Sequence, residues 1–359
     1  MTDQFPTAAA PSSTTDVRAG MQIDEARLLD YLTRNVDGFV GPLSVRQFKG
    51  GQSNPTYLID TPQRRYVLRR KPPGALLASA HAIDREYRVM RALGQGSRVP
   101  VPRTYALCTD ESVIGTWFYV MEYVAGRIIW DPALEEVERG ARREHAYALV
   151  GALAELHRVP PDAAGLGDFG KPAAYLARQI ARWTRQYQME TAADRIDSMD
   201  RLIEWLPLHV PAADERAAIV HGDYRIDNVV FHPTEARVLA ILDWELATLG
   251  NPLADFAYHL MLYRLPTISI PGLQGRDMAA LGLPTEAEYV ARYCERAGRV
   301  GIDNLEFYLA FAMFRLAGIF HGIAGRVARG TAVSEKARDY ARHVKTVADC
   351  AWRQAQSVG

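Results

Sequence analysis

VHGDYRIDNVVF, Val220 to Phe231, sets two carboxylates, a histidine, an arginine and an asparagine into eight consecutive positions between apolar flanks. Asp223 stands five residues before Asn228, and an apolar strand, VVF, begins at once afterwards. Asp and Asn are ordinary turn residues, so the octapeptide alone is equally a loop capping a strand. What separates the two readings is the order of elements on either side.

Downstream, VVF, the polar turn HPTEAR and VLAIL read as a hairpin that returns the chain to Asp243. Upstream, SVRQFKG, PTYLID and RYVLRR, with GQSN and TPQR as turns between them, predict an antiparallel meander from about residue 44. A helix is expected over 80–94, where Ile83, Tyr87, Met90 and Gly94 share a face and Glu86 sits beside it. Pro100 and Pro102 end that region, TYALCTD and TWFYVMEYV predict two more strands, and AGRIIWDP crosses into the next segment. Five strands and one helix make a small first lobe. After Trp130 the periodicity turns helical, clearest over 142–158, and it returns after Pro252. The expected fold is therefore α+β and two-lobed: a flexible leader over 1–20, a β-rich lobe over 21–124 and a mostly helical lobe over 125–359.

Composition narrows the function classes. The 359 residues, 48% hydrophobic, are enough for two cores. Lys+Arg and Asp+Glu are equal at 42 each, so no global field draws the chain to nucleic acid or to an anionic membrane, and anion recognition must be local. Cys108, Cys294 and Cys350 lie far apart with no CxxC pair, which argues against a disulfide framework or a thiolate metal site. The first twenty residues lack a basic start and an apolar run, and VLAILDWELATLG, taken as the longest apolar candidate, is broken by Asp243 and Glu245. These features predict a cytoplasmic protein without a membrane span.

Phosphoryl transfer from ATP needs a metal to neutralise the phosphates, ligands to hold it, and a carboxylate to orient or deprotonate the attacking hydroxyl. The H-x-D-x-x-x-x-N pattern offers Asp223 for the proton and the Asn228 carbonyl oxygen for Mg²⁺, and the hairpin delivers Asp243 as a second hard-oxygen ligand. His221, beside Gly222, is expected to brace the loop.

The chain resembles the aminoglycoside phosphotransferase and choline kinase superfamily, and within it the kinase-like domain fused in some proteins to acyl-CoA dehydrogenases. The resemblance is carried by GGQSN at 50–54, YVLRR at 66–70, REY at 85–87, FYVMEYVAGR at 118–127, GLGDFGKPAAYLARQIARW at 165–183, HGDYRIDN at 221–228 and ILDWELATLGNPLADFA at 241–257, and it covers roughly 30–350. It implies a two-lobe protein-kinase-like fold and use of ATP and Mg²⁺. Asp223 would be the catalytic base, Asn228 and Asp243 the metal ligands, Glu86 the partner of the phosphate-binding cation, and Asp255 the brace of the catalytic loop. Met121 to Val124 would be the hinge, with the backbone of Glu122 and Val124 meeting adenine, and Gly51 and Ser53 would contact phosphate. The lysine expected on the third strand is replaced by Arg69, which can pair with Glu86 and bind phosphate but is not an equivalent point charge. DFG at 168–170 lies upstream of the catalytic loop, so Asp243 takes the metal role.

The implied activity is transfer to a hydroxyl of a small molecule. By analogy with the fused relatives that molecule is a hydroxyacyl-CoA, whose phosphates suit the stripe Arg178, Arg182 and Arg185. An aminoglycoside- or choline-type acceptor, or a silent nucleotide-binding protein, are the alternatives.

Overall fold

The computed structural model describes residues 13–49, 54–72, 83–212 and 217–358. It divides into one unit built from Met1–Ala125 with Leu239–Glu245 and a second built from Gly126–Val238 with Leu246–Gly359.

In the first unit, strands β1 (Thr14–Thr15), β2 (Ser44–Phe48), β3 (Thr56–Asp60), β4 (Arg65–Arg70), β5 (Thr104–Cys108) and β6 (Phe118–Glu122) form one sheet in the order β1-β2-β3-β4-β6-β5. Every neighbouring pair is antiparallel. Side chains alternate between the faces with period two. Tyr57, Ile59, Tyr66, Leu68, Phe118 and Val120 share a core with Leu28 and Leu32 of helix α1 (Glu25–Asn35). Arg69, out of phase with Leu68, points to the other face, where it pairs with α2 (Ile83–Gly96) and stands opposite Tyr119. A single short turn, α3 (Glu111–Ile114), precedes β6.

Two expectations change here. The sheet has a sixth strand inside the stretch read as leader: Thr14 and Thr15 are β-branched and pair with Phe48 and Gln47, and Arg46 bonds the Thr14 hydroxyl at 3.1 Å. The lobe also has the unforeseen helix α1, whose start is capped by the Asp24 side chain accepting from Arg27 N–H at 3.0 Å. The turn read at GQSN falls on Gly51 to Ser53, which, with the start of the helix expected from residue 80, lie outside the described residues.

The second unit is mostly helical. Its strands are β7 (Arg127–Ile128), β8 (Ala218–Val220), β9 (Val229–Phe231), the start of β10 (Val238–Ile241) and β11 (Thr248–Gly250); its helices are α4 (Arg142–Arg158), α5 (Tyr175–Met189), α6 (Asp197–Leu208), α7 (Pro252–Leu260), α8 (Met278–Leu281), α9 (Glu286–Ala297), α10 (Leu305–Ala328), α11 (Glu335–Arg342) and α12 (Val344–Gln356). β8 pairs antiparallel with β11, and β7 with β9. The turn after β9 closes through His232 N–H to the Arg237 carbonyl at 2.8 Å. α7 starts at Asn251, whose side chain accepts from the N–H groups of Leu253 and Ala254, with Pro252 at its first position.

α10 corrects the reading of apolar runs. It is long and apolar enough by composition to cross a membrane, yet 83% of its most apolar window is buried inside the protein. It packs against α5, α6, α7, α11 and α12, and so has the all-round apolar character of a central core helix.

Candidate active site

The loop leaving β8 turns at Gly222, whose φ of 84° and whose missing Cβ, which would stand 2.7 Å from the Leu246 carbonyl oxygen, both demand glycine. Asp255 of α7, buried, receives the two N–H groups of this turn. Its Oδ2 accepts from His221 N–H at 2.7 Å and its Oδ1 from Gly222 N–H at 2.9 Å. His157 Nε2 of α4 lies 3.2 Å from Oδ2, and its Nδ1 lies 2.7 Å from the Tyr293 hydroxyl. Burial alone would raise the Asp255 carboxyl, but the hydrogen bonds it accepts from His157 and from the His221 N–H hold it below the ordinary carboxylate range. His221, fully buried, accepts from Asp223 N–H through Nδ1 at 3.2 Å. Its place is that of a brace within the loop.

Asp223 keeps a quarter of its side chain exposed. Asn228, in the single 3-10 turn Ile226–Asn228, donates Nδ2 to the Asp223 carbonyl at 3.0 Å, with Asp223 Oδ2 3.5 Å away. That donation turns the Asn228 amide oxygen the other way, where it can serve a cation. Tyr258 is buried near Asp223; burial and then the Asp223 charge push its pKa up, so its hydroxyl keeps its proton. Arg225 is directed to Asp227 at 2.5 Å, with its Nε 4.0 Å from Asp223 Oδ1.

The first unit carries a second constellation around Arg69, one-tenth exposed. Its Nε is 3.1 Å from Glu86 Oε2, and its Nη2 is 2.7 Å from Asp243 Oδ1 and 3.3 Å from Glu245 Oε2. Glu86 also accepts from Asn54 Nδ2 at 2.8 Å and from the Tyr119 hydroxyl at 2.9 Å. Burial raises the Glu86 carboxyl to about 7 against the pull of Arg69. Burial works against the Arg69 charge, yet Glu86, Tyr119, Asp243 and Glu245 together hold the guanidinium protonated. Asp243 adopts φ of 64°, a left-handed backbone that Asp tolerates better than most residues. Neighbouring cations are engaged elsewhere: Arg70 donates to the Met21 carbonyl at 3.2 Å, and Lys71 Nζ lies 3.9 Å from the centroid of the Trp117 ring.

Removing one member of a buried ion pair strands its partner, at a cost of about 3–5 kcal/mol. Arg69→Ala is therefore expected to lower unfolding free energy on that scale, and Arg69→Lys distinctly less, as checked by chemical denaturation.

Met121, nearly buried, faces Val67 across β4 and β6, and Val124 follows the strand half-buried. The expected hinge is narrowed at Glu122, whose N–H is already given to the Arg103 carbonyl at 2.8 Å and whose Oε2 accepts from Arg103 N–H at 3.2 Å. Gly51 and Ser53 lie outside the described residues. Arg178, Arg182 and Arg185 are exposed on α5, with Arg178 donating to the Lys171 carbonyl and the Arg182 guanidinium 5.6 Å from the Trp183 ring centroid. All three cysteines are buried and free.

Sequence reasoning missed Tyr119, Asn54 and His157, and it offered Glu245, two residues beyond Asp243 in DWE, only as an alternative carboxylate for the metal. No group of three or more His, Cys, Asp or Glu able to hold a metal occurs among the described residues. That donor chemistry still fits Mg²⁺, which takes one or two protein oxygens and completes its shell with phosphate and water. Asn228 and Asp243 are hard-oxygen donors of that kind.

An antiparallel sheet unit with a buried Arg–Glu pair, and a helical unit with a D-x-x-x-x-N loop braced by a buried aspartate, define the class of kinase-like phosphotransferases. The chain belongs to the phosphotransferase enzyme family, whose model matches residues 44–308. A Ralstonia eutropha protein whose crystal structure carries the provisional name aminoglycoside phosphotransferase is 48% identical, with a TM-score of 0.87 over 93% of this chain and 99% of that one. Choline kinase from Cryptosporidium parvum, 12% identical, shares the fold with a TM-score of 0.63 over 93% of this chain and 96% of that one. Acyl-CoA dehydrogenase family member 10 of Mus musculus is 45% identical over 99% of this chain, which spans 33% of that protein. Family member 11 of Gallus gallus is 43% identical over 95% of this chain, which spans 44% of it.

Proposed function

We propose that the protein transfers the γ-phosphoryl group of ATP, with Mg²⁺, to a hydroxyl of a small molecule, and that the acceptor is a hydroxyacyl-CoA. The observation that carries this reading is the Asp223–Asn228 loop, in which a partly exposed carboxylate has its own backbone held by His221 and Asn228, and the two preceding N–H groups are held by the buried Asp255. Asp223 takes the hydroxyl proton as the new P–O bond forms and ADP leaves. Arg69 and Glu86 present the phosphate-binding cation, and Asn228 and Asp243 are the donors for the metal. When bound, the metal would neutralise the phosphate charge that builds up as the leaving oxygen departs.

The acyl-CoA assignment is supported by the names of the relatives and by the exposed arginines of α5, which suit a coenzyme carrying several phosphates. The full set of carboxylates around Arg69 favours one other reading, a nucleotide-binding protein without turnover. The test of both is initial-rate ADP formation with hydroxyacyl-CoAs, aminoglycosides, choline-like amines and sugars. Transfer to the first group alone is expected; brisk transfer to an amine or amino sugar would overturn the acyl-CoA assignment, and no transfer to any acceptor would favour the silent reading. Arg178→Glu is expected to raise the KM for the hydroxyacyl-CoA and to spare that for ATP, with the effect shrinking as salt rises.

Asp243→Ala is expected to abolish the Mg²⁺-dependent part of ATP binding, as measured by calorimetry with and without the ion. An unchanged metal dependence would transfer the ligand role to another carboxylate, such as Asp227 or Glu245.

A further inference from the structure

Many arginines of this chain are spent on carboxylates, as at Arg69, Arg143, Arg225, Arg264, Arg296 and Arg329. Arg315, in the middle of α10, forms no ion pair among the described residues. Its Nη2 donates instead to the Gly222 carbonyl. Its guanidinium carbon lies 4.4 Å from the centroid of the Tyr258 ring and 5.7 Å from that of Trp183, and its Nε is buried without a hydrogen-bond partner among the described residues. An unpaired buried donor costs about 1–3 kcal/mol, so this placement is not the one stability alone would select.

The peptide that Arg315 grips is the one that carries Asp223. With φ of 84° at Gly222, the preceding N–H goes to Asp255 and the carbonyl is turned outward to α10. The other end of the same peptide, Asp223 N–H, is held by His221 Nδ1 at 3.2 Å. Rotation of this peptide plane would swing the Asp223 carboxylate, and Arg315 and His221 oppose that rotation from its two sides. Arg315 also covers the ring of Tyr258, a neighbour whose hydroxyl feels the Asp223 charge.

We infer that Arg315 is a positioning residue for Asp223, fixing the direction of the base from a helix 93 residues further along the chain. A misplacement of about 1 Å at a reacting group costs on the order of 100-fold in rate, which sets the scale of the effect. The inference rests on the phosphoryl-transfer role proposed for the loop, and its test separates the two.

The test uses the full chain with Arg315→Met, which keeps bulk but removes the donor, and Arg315→Lys, which keeps one charged donor. Amide hydrogen exchange of the peptide spanning Gly222 and Asp223 needs no ligand. ATP hydrolysis with Mg²⁺, water serving as acceptor, needs no identified substrate. Arg315→Met is expected to exchange about tenfold faster there and to lose about 100-fold in kcat, with the KM for ATP within about twofold of the parent. Arg315→Lys is expected to recover most of both. Parent-like exchange and kcat in Arg315→Met would overturn the inference. So would an Arg315→Lys as impaired as the methionine variant with the KM for ATP rising in step, which would mark a general packing role. If the parent itself turns over no ATP, the proposed activity falls, and the exchange comparison still decides whether Arg315 holds the loop.

Discussion

Asp223→Asn is expected to lower turnover about 10²- to 10⁴-fold while leaving nucleotide affinity within about twofold, the usual worth of a positioned base. The substitution is nearly isosteric, so the bracing of the loop by Asp255 and the amide of Asn228 should survive it. What it removes is the acceptor for the proton. Side-by-side calorimetry and steady-state rates read the two effects separately, and a variant that turns over like the parent would take the role of base away from Asp223.

The second large effect is on stability. Asp255→Ala strips the acceptor from the N–H groups of His221 and Gly222 and leaves His157 without its carboxylate, all in a buried setting. Losses of this kind amount to roughly 3–5 kcal/mol. They carry a pH signature. Because the fold depresses the Asp255 pKa, its contribution is fully present above the unfolded value of about 3.9 and is lost as pH falls through the folded value. Unfolding free energies measured across the acid range should therefore fall less steeply with acid in Asp255→Ala than in the parent, from a lower starting level. Parallel curves would show that Asp255 contributes nothing through its charge.

How much of this was legible in the sequence follows from how local each feature is. The catalytic loop could be read because its polar residues are contiguous and the strand flanks are short and apolar. The pairing of Arg69 with Glu86 is implied by the resemblance, and the two meet at 3.1 Å. Helix 142–158 was read correctly because its apolar repeat is regular. α1 escaped because EARLLDYLTRN is short and highly charged, and its two fully buried leucines reveal a face only once the sheet is there to receive them. The apolar run of α10 was overlooked because Arg315 and Arg326 interrupt it, although neither prevents its burial as a core helix. Contacts made across long sequence separations left no local pattern at all. His157 reaches Asp255 over 98 residues, and Arg315 reaches Gly222 over 93. The Glu122 N–H bonds the Arg103 carbonyl beside the bulged pairing of β5 with β6, a contact that no local pattern announces.

The central claim is that this chain makes a phosphate ester on a hydroxyl and that Asp223 takes the proton. Phosphorus NMR of the parent with Mg-ATP and a hydroxyacyl-CoA addresses both parts at once. The account predicts that a new phosphomonoester signal grows as ATP is consumed, with one ester formed per ADP, and that Asp223→Asn produces at most about a hundredth of it in the same time. Consumption of ATP to ADP and free phosphate with no ester on this or any other hydroxyl acceptor, or ester formation at the parent rate in Asp223→Asn, would contradict it.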